Sequence, residues 1–317
     1  MPLLQSLKKF FIDDPIQRTK KIYFWCFNIV GMHISFLYTP YYYLYVRRFY
    51  RIGKDRRVGM MYVASVIIAG CNLRCHGCSV MSPHRKSRVS ADELLASFTE
   101  WRKKIKPQYV HLTGGEPLLH PELERIIRES TKIWDDSHVW LFTNGLLLDT
   151  AKPEVLQAIK ETGCKLVVSE HTFEPEHRKK LDAGYARLKE KNIPFVVRPS
   201  RRTWLAMHSH NEKGEIVPYQ SDPKEAWNNC AFRAAVVVDG NQLYSCGHLY
   251  HIAQAASEGV LNADQWKAAL TYSPLTLQAS PEEIVEHLRC RAIPECAVCP
   301  GKRNIVPAQQ IPRRNSE

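Results

Sequence analysis

Three cysteines stand at Cys71, Cys75 and Cys78, spaced C-x3-C-x2-C on a short loop that follows the strand-like run MYVASVII at 61–68. Thiolates are metal ligands, so clustered cysteines of this kind speak for metal over disulfides. Three is an incomplete number. A disulfide consumes an even count and a tetrahedral zinc site needs four ligands, so a further ligand must come from the protein or from solution. A second set lies near the C-terminus. Cys230 and Cys246 bracket the hairpin VVVDGNQLYS, and ECAVCP supplies Cys296 and Cys299 as C-x2-C. Two pairs distant in sequence thus make four ligands, and ligand type alone allows either zinc or an iron–sulfur cluster. Cys290 is a fifth cysteine in that region, which could replace a ligand or pack as a small hydrophobe. Cys26 and Cys164 have no partner in spacing and read as buried. His208, His210 and His248 fall in the same stretch and could act as general bases. Without a cleavable signal peptide, such spacings favour metal over disulfides and imply a reducing, cytoplasmic setting.

The elements that must position these residues follow from periodicity. From 61 to about 200 the chain alternates strand, turn and amphipathic helix, a rhythm that suits βα units and a parallel sheet. Strands are predicted at MYVASVII, YVHLT, HVWLFT, KLVVSE and PFVVRPS; helices at ADELLASFTEWRKKI, PELERIIRESTKIW, KPEVLQAIKET and EHRKKLDAGYARLKEKN. Ser90 and Pro121 suit helix entry. Consecutive βα units of this number predict a barrel or partial barrel whose functional residues sit at the C-terminal ends of its strands. The first cysteine loop then lies on that rim. So do Gly114, Gly115, Glu116 and Pro117 after the second strand, Thr143 and Asn144 after the third, Ser169 after the fourth and Arg198 at the fifth.

C-x3-C-x2-C joined to a downstream GGEP at 114–117 resembles the radical S-adenosylmethionine (SAM) superfamily. The resemblance implies a partial (β/α)6 TIM-like barrel. It also implies a [4Fe-4S] cluster on Cys71, Cys75 and Cys78, with the fourth iron left open to chelate SAM. Glu116 and the Gly114-Gly115 backbone would receive the amino group of SAM, with Pro117 in the same cofactor-binding turn, while Thr143, Asn144, Ser169 and Arg198 would meet its ribose and carboxylate. The implied reaction is reductive cleavage of SAM to a 5'-deoxyadenosyl radical that abstracts hydrogen from substrate. One position departs from the family pattern: Gly77 stands where an aromatic residue is frequent. A zinc knuckle is the alternative for the three cysteines taken alone.

The second cysteine set resembles the twitch form of the SPASM auxiliary domain. This implies a second [4Fe-4S] cluster on Cys230, Cys246, Cys296 and Cys299, with a structural zinc as the alternative. Analogy with twitch enzymes points to a hydroxylated small molecule, such as a sugar, aminocyclitol or nucleotide-sugar, undergoing oxidation or epimerisation. Cys290 would be the catalytic hydrogen-atom donor in the second case. An external one-electron donor such as flavodoxin or ferredoxin is implied as partner. The alternatives are a peptide, RNA or lipid-linked substrate, or a non-catalytic iron–sulfur protein.

Charge is concentrated at the start of the chain. Residues 1–60 hold eleven Lys and Arg against three Asp, a net +8 of the total +12. Within them, 22–46 contain no Asp, Glu, Lys or Arg but carry six Tyr, which suits a helical extension or a peripheral contact with a membrane or lipid-linked partner better than a span. Basic and aromatic residues also suit RNA, but no nucleic-acid module is recognisable, so nucleic acid is not the favoured partner. The expected organisation is an N-terminal extension at 1–60, the barrel at 61–215, the auxiliary unit at 216–305 and a disordered tail at 306–317.

Overall fold

The computed structural model describes residues 48–310, apart from 172, 200, 201, 231, 234 and 290. The aromatic segment 22–46 and Cys290 therefore lie outside the described residues. Among the described residues no helix is long and apolar enough to cross a membrane.

Thirteen short strands and eight helices are described. Strands β1 (Arg51–Ile52), β2 (Val58–Ile68), β3 (Ile105–Gly114), β4 (His138–Thr143), β5 (Lys165–Ser169) and β6 (Phe195–Arg198) are followed by β7 (Thr203–Leu205), β8 (Ser209–His210) and β9 (Ile216–Val217). The chain continues through β10 (Val237–Asp239), β11 (Gln242–Tyr244), β12 (Leu275–Thr276) and β13 (Ile305–Pro307). Helices α1 (Ala91–Arg102), α2 (Leu123–Ile133), α3 (Pro153–Thr162) and α4 (Pro175–Glu190) cross over between the strands β2 to β6. Helices α5 (Pro223–Asn229), α6 (Gly247–Ser257), α7 (Lys267–Leu270) and α8 (Pro281–Leu288) belong to the C-terminal third.

One nine-stranded sheet runs β12-β11-β10-β2-β3-β4-β5-β6, with β1 paired to β2. Its strands β10, β2, β3, β4, β5 and β6 are parallel, the arrangement of a partial TIM-like barrel. The pattern is set by what each face meets. On β2 to β4 one set of alternating residues, including Val63, Val110, Leu112 and Leu141, is buried on the side where Phe98, Trp101 and Trp134 are also buried. Phe98 and Trp134 meet edge to face at 5.7 Å, a geometry worth about 0.5–1.5 kcal/mol beyond area burial. The other set carries half-buried aromatic residues instead. Tyr62 stacks on His111 at 4.7 Å, His111 on Trp140 at 5.6 Å, and the Arg198 guanidinium lies 4.9 Å from the Phe142 ring.

Ser90 caps α1 with a full capping box: its hydroxyl accepts from Glu93 N–H while the Glu93 carboxylate accepts from Ser90 N–H. The expected helix reaching Ile105 stops at Arg102, because Ile105 opens β3 by pairing with Val58.

Three expected boundaries move. Residue 60 falls inside β2, and Tyr50 is already buried, so the barrel unit takes in residues from 48 onward. The auxiliary segment is not a separate body: Ala64 N–H donates to Val236 C=O at 2.9 Å, and β10 lies parallel to β2 in the barrel's own sheet. The expected disordered tail is folded through residue 310, because β13 pairs antiparallel with β7.

Candidate functional site

The first cysteine loop leaves β2 at Ile68 and is held from below by the Gly114-Gly115-Glu116 turn. Gly115 N–H donates to Ile68 C=O at 2.7 Å and Glu116 N–H to Gly70 C=O at 2.9 Å. The fit tolerates no side chain. A Cβ on Gly114, whose φ is +154°, would lie 2.0 Å from Ile68 O, and one on Gly115 would lie 2.1 Å from Gly70 O. Pro117 starts the short 3-10 turn Pro117–Leu119 and is buried.

Glu116 is fully buried, and three donors converge on its carboxylate. Thr143 Oγ1 donates at 2.6 Å, Asn144 N–H at 2.8 Å and Leu118 N–H at 3.0 Å. Burial pushes this carboxyl above the usual carboxylate range, against those three hydrogen bonds. The expectation that Glu116 reaches out to a ligand thus meets a side chain committed to protein donors, which fixes the Thr143-Asn144 turn. Asn144 carries that order onward: its Nδ2 donates to Asn72 Oδ1 at 2.7 Å and lies 3.7 Å from Cys71 Sγ. Asn72 had no signal in the sequence beyond its place beside Cys71.

All three thiols of the loop are half-buried. Leu73 N–H donates to Cys71 Sγ at 3.4 Å, and Gln310 Nε2 to Cys75 Sγ at 3.5 Å. Burial pushes Cys71 and Cys75 up to about 12, with neighbouring Cys78 adding to both. Near neutral pH the thiolates are therefore disfavoured until a cationic group takes up their charge, as metal binding does. Gly77 has a physical reason. Its φ is +70° and a Cβ would lie 2.9 Å from Ala206 Cβ and 3.3 Å from Val306 Cγ2, so the residues beside β7 and β13 fill the space.

Ser169 and Arg198 are register partners at the ends of β5 and β6, and Glu170 N–H donates to Arg198 C=O at 2.9 Å.

The second cysteine set is gathered by folding. Cys299 is buried in a core with Trp266, Ile252, Leu249 and Met207, and Cys230, Cys246 and Cys296 pack against it. Burial raises the Cys299 thiol, and the proximity of Cys246, Cys230 and Cys296 raises it further. Among the described residues no three His, Cys, Asp or Glu close on one point tightly enough to hold a single ion. A cluster asks for something wider, since each thiolate binds its own iron.

Histidines line the space between the two cysteine sets in sequence-unexpected order. His76, next to Cys75, stacks on His210 at 5.0 Å; His210 meets His208 at 5.3 Å; His208 lies 6.5 Å from His248, two residues after Cys246. Burial pushes His208 down to about 3 and His248 down to about 4, so both are neutral.

The family model described as the radical SAM superfamily matches residues 65–191. This segment is a radical SAM domain. The superfamily implies a [4Fe-4S] cluster and SAM, and the thiol-rich loop on the domain's rim has the donor chemistry for the former. The chain is 37% identical over 118 residues to GTP 3',8-cyclase of Aquifex aeolicus, covering 35% of each chain. It is 32% identical over 149 residues to a probable GTP 3',8-cyclase of Methanococcus maripaludis, covering 43% of this chain and 47% of that one. It thus spans less than half the length of these relatives. Among solved structures, BtrN in complex with AdoMet and 2-DOIA gives a TM-score of 0.36 at 15% identity, covering 66% of this chain and 85% of that one. SuiB of Streptococcus suis bound to the precursor peptide SuiA gives 0.38 at 8%, covering 78% and 73%. Scores this low carry no argument about substrate.

Proposed function

We propose that this radical SAM enzyme removes a hydrogen atom from a hydroxylated small molecule, such as a sugar, aminocyclitol or nucleotide-sugar, and completes an oxidation or epimerisation. Cys71, Cys75 and Cys78 would hold the [4Fe-4S] cluster that binds SAM, and Cys230, Cys246, Cys296 and Cys299 a second. Bound there, the first cluster and SAM supply the one-electron chemistry that makes the hydrogen-abstracting species, fed by an external electron donor.

The observation that carries the reading is the convergence of four cysteines, from 230 to 299, on one apolar core. Cys299 is buried and Cys230, Cys246 and Cys296 are half-buried against it, and as thiolates the four need a metal group to offset their charge. Complete thiolate ligation leaves no open iron and suits electron transfer, the step an oxidation needs after hydrogen abstraction. The chain's own residues do the positioning. Glu116 orders the Thr143-Asn144 turn beneath the cysteine loop. The Tyr62–His111–Trp140 layer lines the barrel side of the sheet. Neutral His208 and His248 offer hydrogen-bonding nitrogens without charge, which suits hydroxyl groups better than phosphates. Cys290, outside the described residues, is the proposed hydrogen donor in the epimerisation variant.

A second reading takes GTP as substrate, favoured by the names of the relatives above, which match 35–43% of this chain. The two readings separate in one assay. Anaerobically reconstituted protein with dithionite and SAM is scored for 5'-deoxyadenosine in the presence of GTP, nucleotide-sugars, free sugars and aminocyclitols. Stimulation by a sugar or cyclitol supports the first reading, and stimulation by GTP alone replaces it with the second. Cys71→Ala should abolish SAM cleavage, whereas Cys296→Ala should retain cleavage and lose product. A fully active Cys296→Ala enzyme would remove the second cluster from the mechanism.

A further inference from the structure

The last described residues return to the first cysteine loop. After β13, Ala308 N–H donates to Arg202 C=O at 2.9 Å, and Gln309 C=O accepts from His76 N–H at 2.9 Å. Cys75 and Gln310 form an antiparallel bridge. The Gln310 side chain then spans the loop. Its Oε1 accepts from Arg74 N–H at 2.7 Å, while its Nε2 donates to Cys75 Sγ at 3.5 Å and to His171 C=O at 3.4 Å. The orientation of the amide follows from its neighbours: a backbone N–H only donates and a carbonyl only accepts, so oxygen must face Arg74 and nitrogen must face His171 and the thiol. Trp204 adds a further tie, donating its Nε1–H to His76 C=O at 2.6 Å.

We propose that Gln310 is a positioning residue for the cysteine loop, and that its N–H···S bond raises the reduction potential of the cluster held on Cys75. The inference rests on the reading above that Cys71, Cys75 and Cys78 carry the cluster. Physically, reduction adds negative charge to the cluster and its sulfurs. An N–H dipole aimed at one of them stabilises the reduced state more than the oxidised state. The Arg74 contact acts separately, by fixing the backbone between Cys71 and Cys75.

Two substitutions divide these roles in the full-length protein. Gln310→Glu keeps an acceptor for Arg74 N–H but replaces the donor with an anion, and Gln310→Leu removes both. Reconstituted proteins are followed by EPR through a redox titration, reading the signal that SAM perturbs. The second cluster serves as internal control. Gln310→Glu should lower the midpoint by about 59 mV, a tenfold shift of a one-electron equilibrium, at unchanged iron content. Midpoints equal to wild type in both variants would overturn the proposal. In metal-free protein, iodoacetamide should alkylate Cys75 more slowly in Gln310→Leu than in wild type, relative to Cys71, because the donor that stabilises charge on that sulfur is gone; an unchanged ratio would overturn the contact itself. If wild-type protein assembles no SAM-responsive cluster, the functional reading fails, an outcome visible without any variant.

Discussion

The close seat of Gly115 against the cysteine loop makes Gly115→Ala a costly substitution. The added Cβ would lie 2.1 Å from Gly70 O and 2.4 Å from Ala69 O, whereas real Cβ atoms stay beyond 3.0 Å. Both blocking atoms are backbone, so the turn and the cysteine loop must separate by about 0.9 Å, the difference between 3.0 and 2.1 Å. The two hydrogen bonds crossing the same junction, 2.7 and 2.9 Å long, would open to about 3.6 and 3.8 Å, beyond hydrogen-bonding range. Each buried group left unpaired costs roughly 1–3 kcal/mol, so the substitution should destabilise by about 2–6 kcal/mol. Gly163→Ala is the matched control. That glycine has φ +69° with nothing within 4 Å, so its alanine variant carries only the left-handed backbone cost of roughly 1–2 kcal/mol. Anaerobic urea denaturation of the metal-free proteins gives both values. Iron content after reconstitution should fall in Gly115→Ala and stay at wild-type level in Gly163→Ala. A Gly115→Ala cost no larger than that of Gly163→Ala would refute the packing argument.

Thr143→Val removes the hydroxyl that donates to Glu116 and accepts from Gly145 N–H at 3.0 Å, and should cost about 1–3 kcal/mol in the same denaturation assay. Arg85→Ala should cost roughly 3–5 kcal/mol, because Arg85 is 4% exposed and its guanidinium donates to Glu258 at 2.6 and 2.9 Å. In metal-free protein, alkylation of Cys71 and Cys75 should still climb about tenfold per unit between pH 9 and 10, where an ordinary thiol levels off. Their folded values are raised to about 12, so the neutral thiol's stabilisation is in place at pH 7 and is lost as pH rises toward that value. A plateau near pH 9 would contradict the burial described.

Local pattern carried much of the barrel. HVWLFT at 138–143 is β4 as read, KPEVLQAIKET holds α3 from Pro153 to Thr162, and the hairpin turns at Gly240 with φ +53°. Their signals are short-range: alternation, a helix-entry proline and a turn glycine. The site was less legible where partners are distant in sequence. That β10 sits beside β2 depends on pairing across more than 170 residues, which no local period encodes. Gln310 lies in a polar stretch that reads as tail, and only the β13–β7 pairing brings it to Cys75. Glu116 was recognised from its motif, but its commitment to Thr143 and Asn144 required the register of β3 against β4.

The shared sheet has a consequence for how the protein can be divided. In the whole chain β10 covers one side of β2, an 11-residue strand whose core positions include Val63, Val66 and Ile67. A fragment ending near residue 215 would bare that side as an apolar edge with unpaired backbone groups, a template for pairing with other molecules. Isolating the barrel by truncation should therefore yield an aggregating fragment, and the two halves should melt together as one cooperative unit.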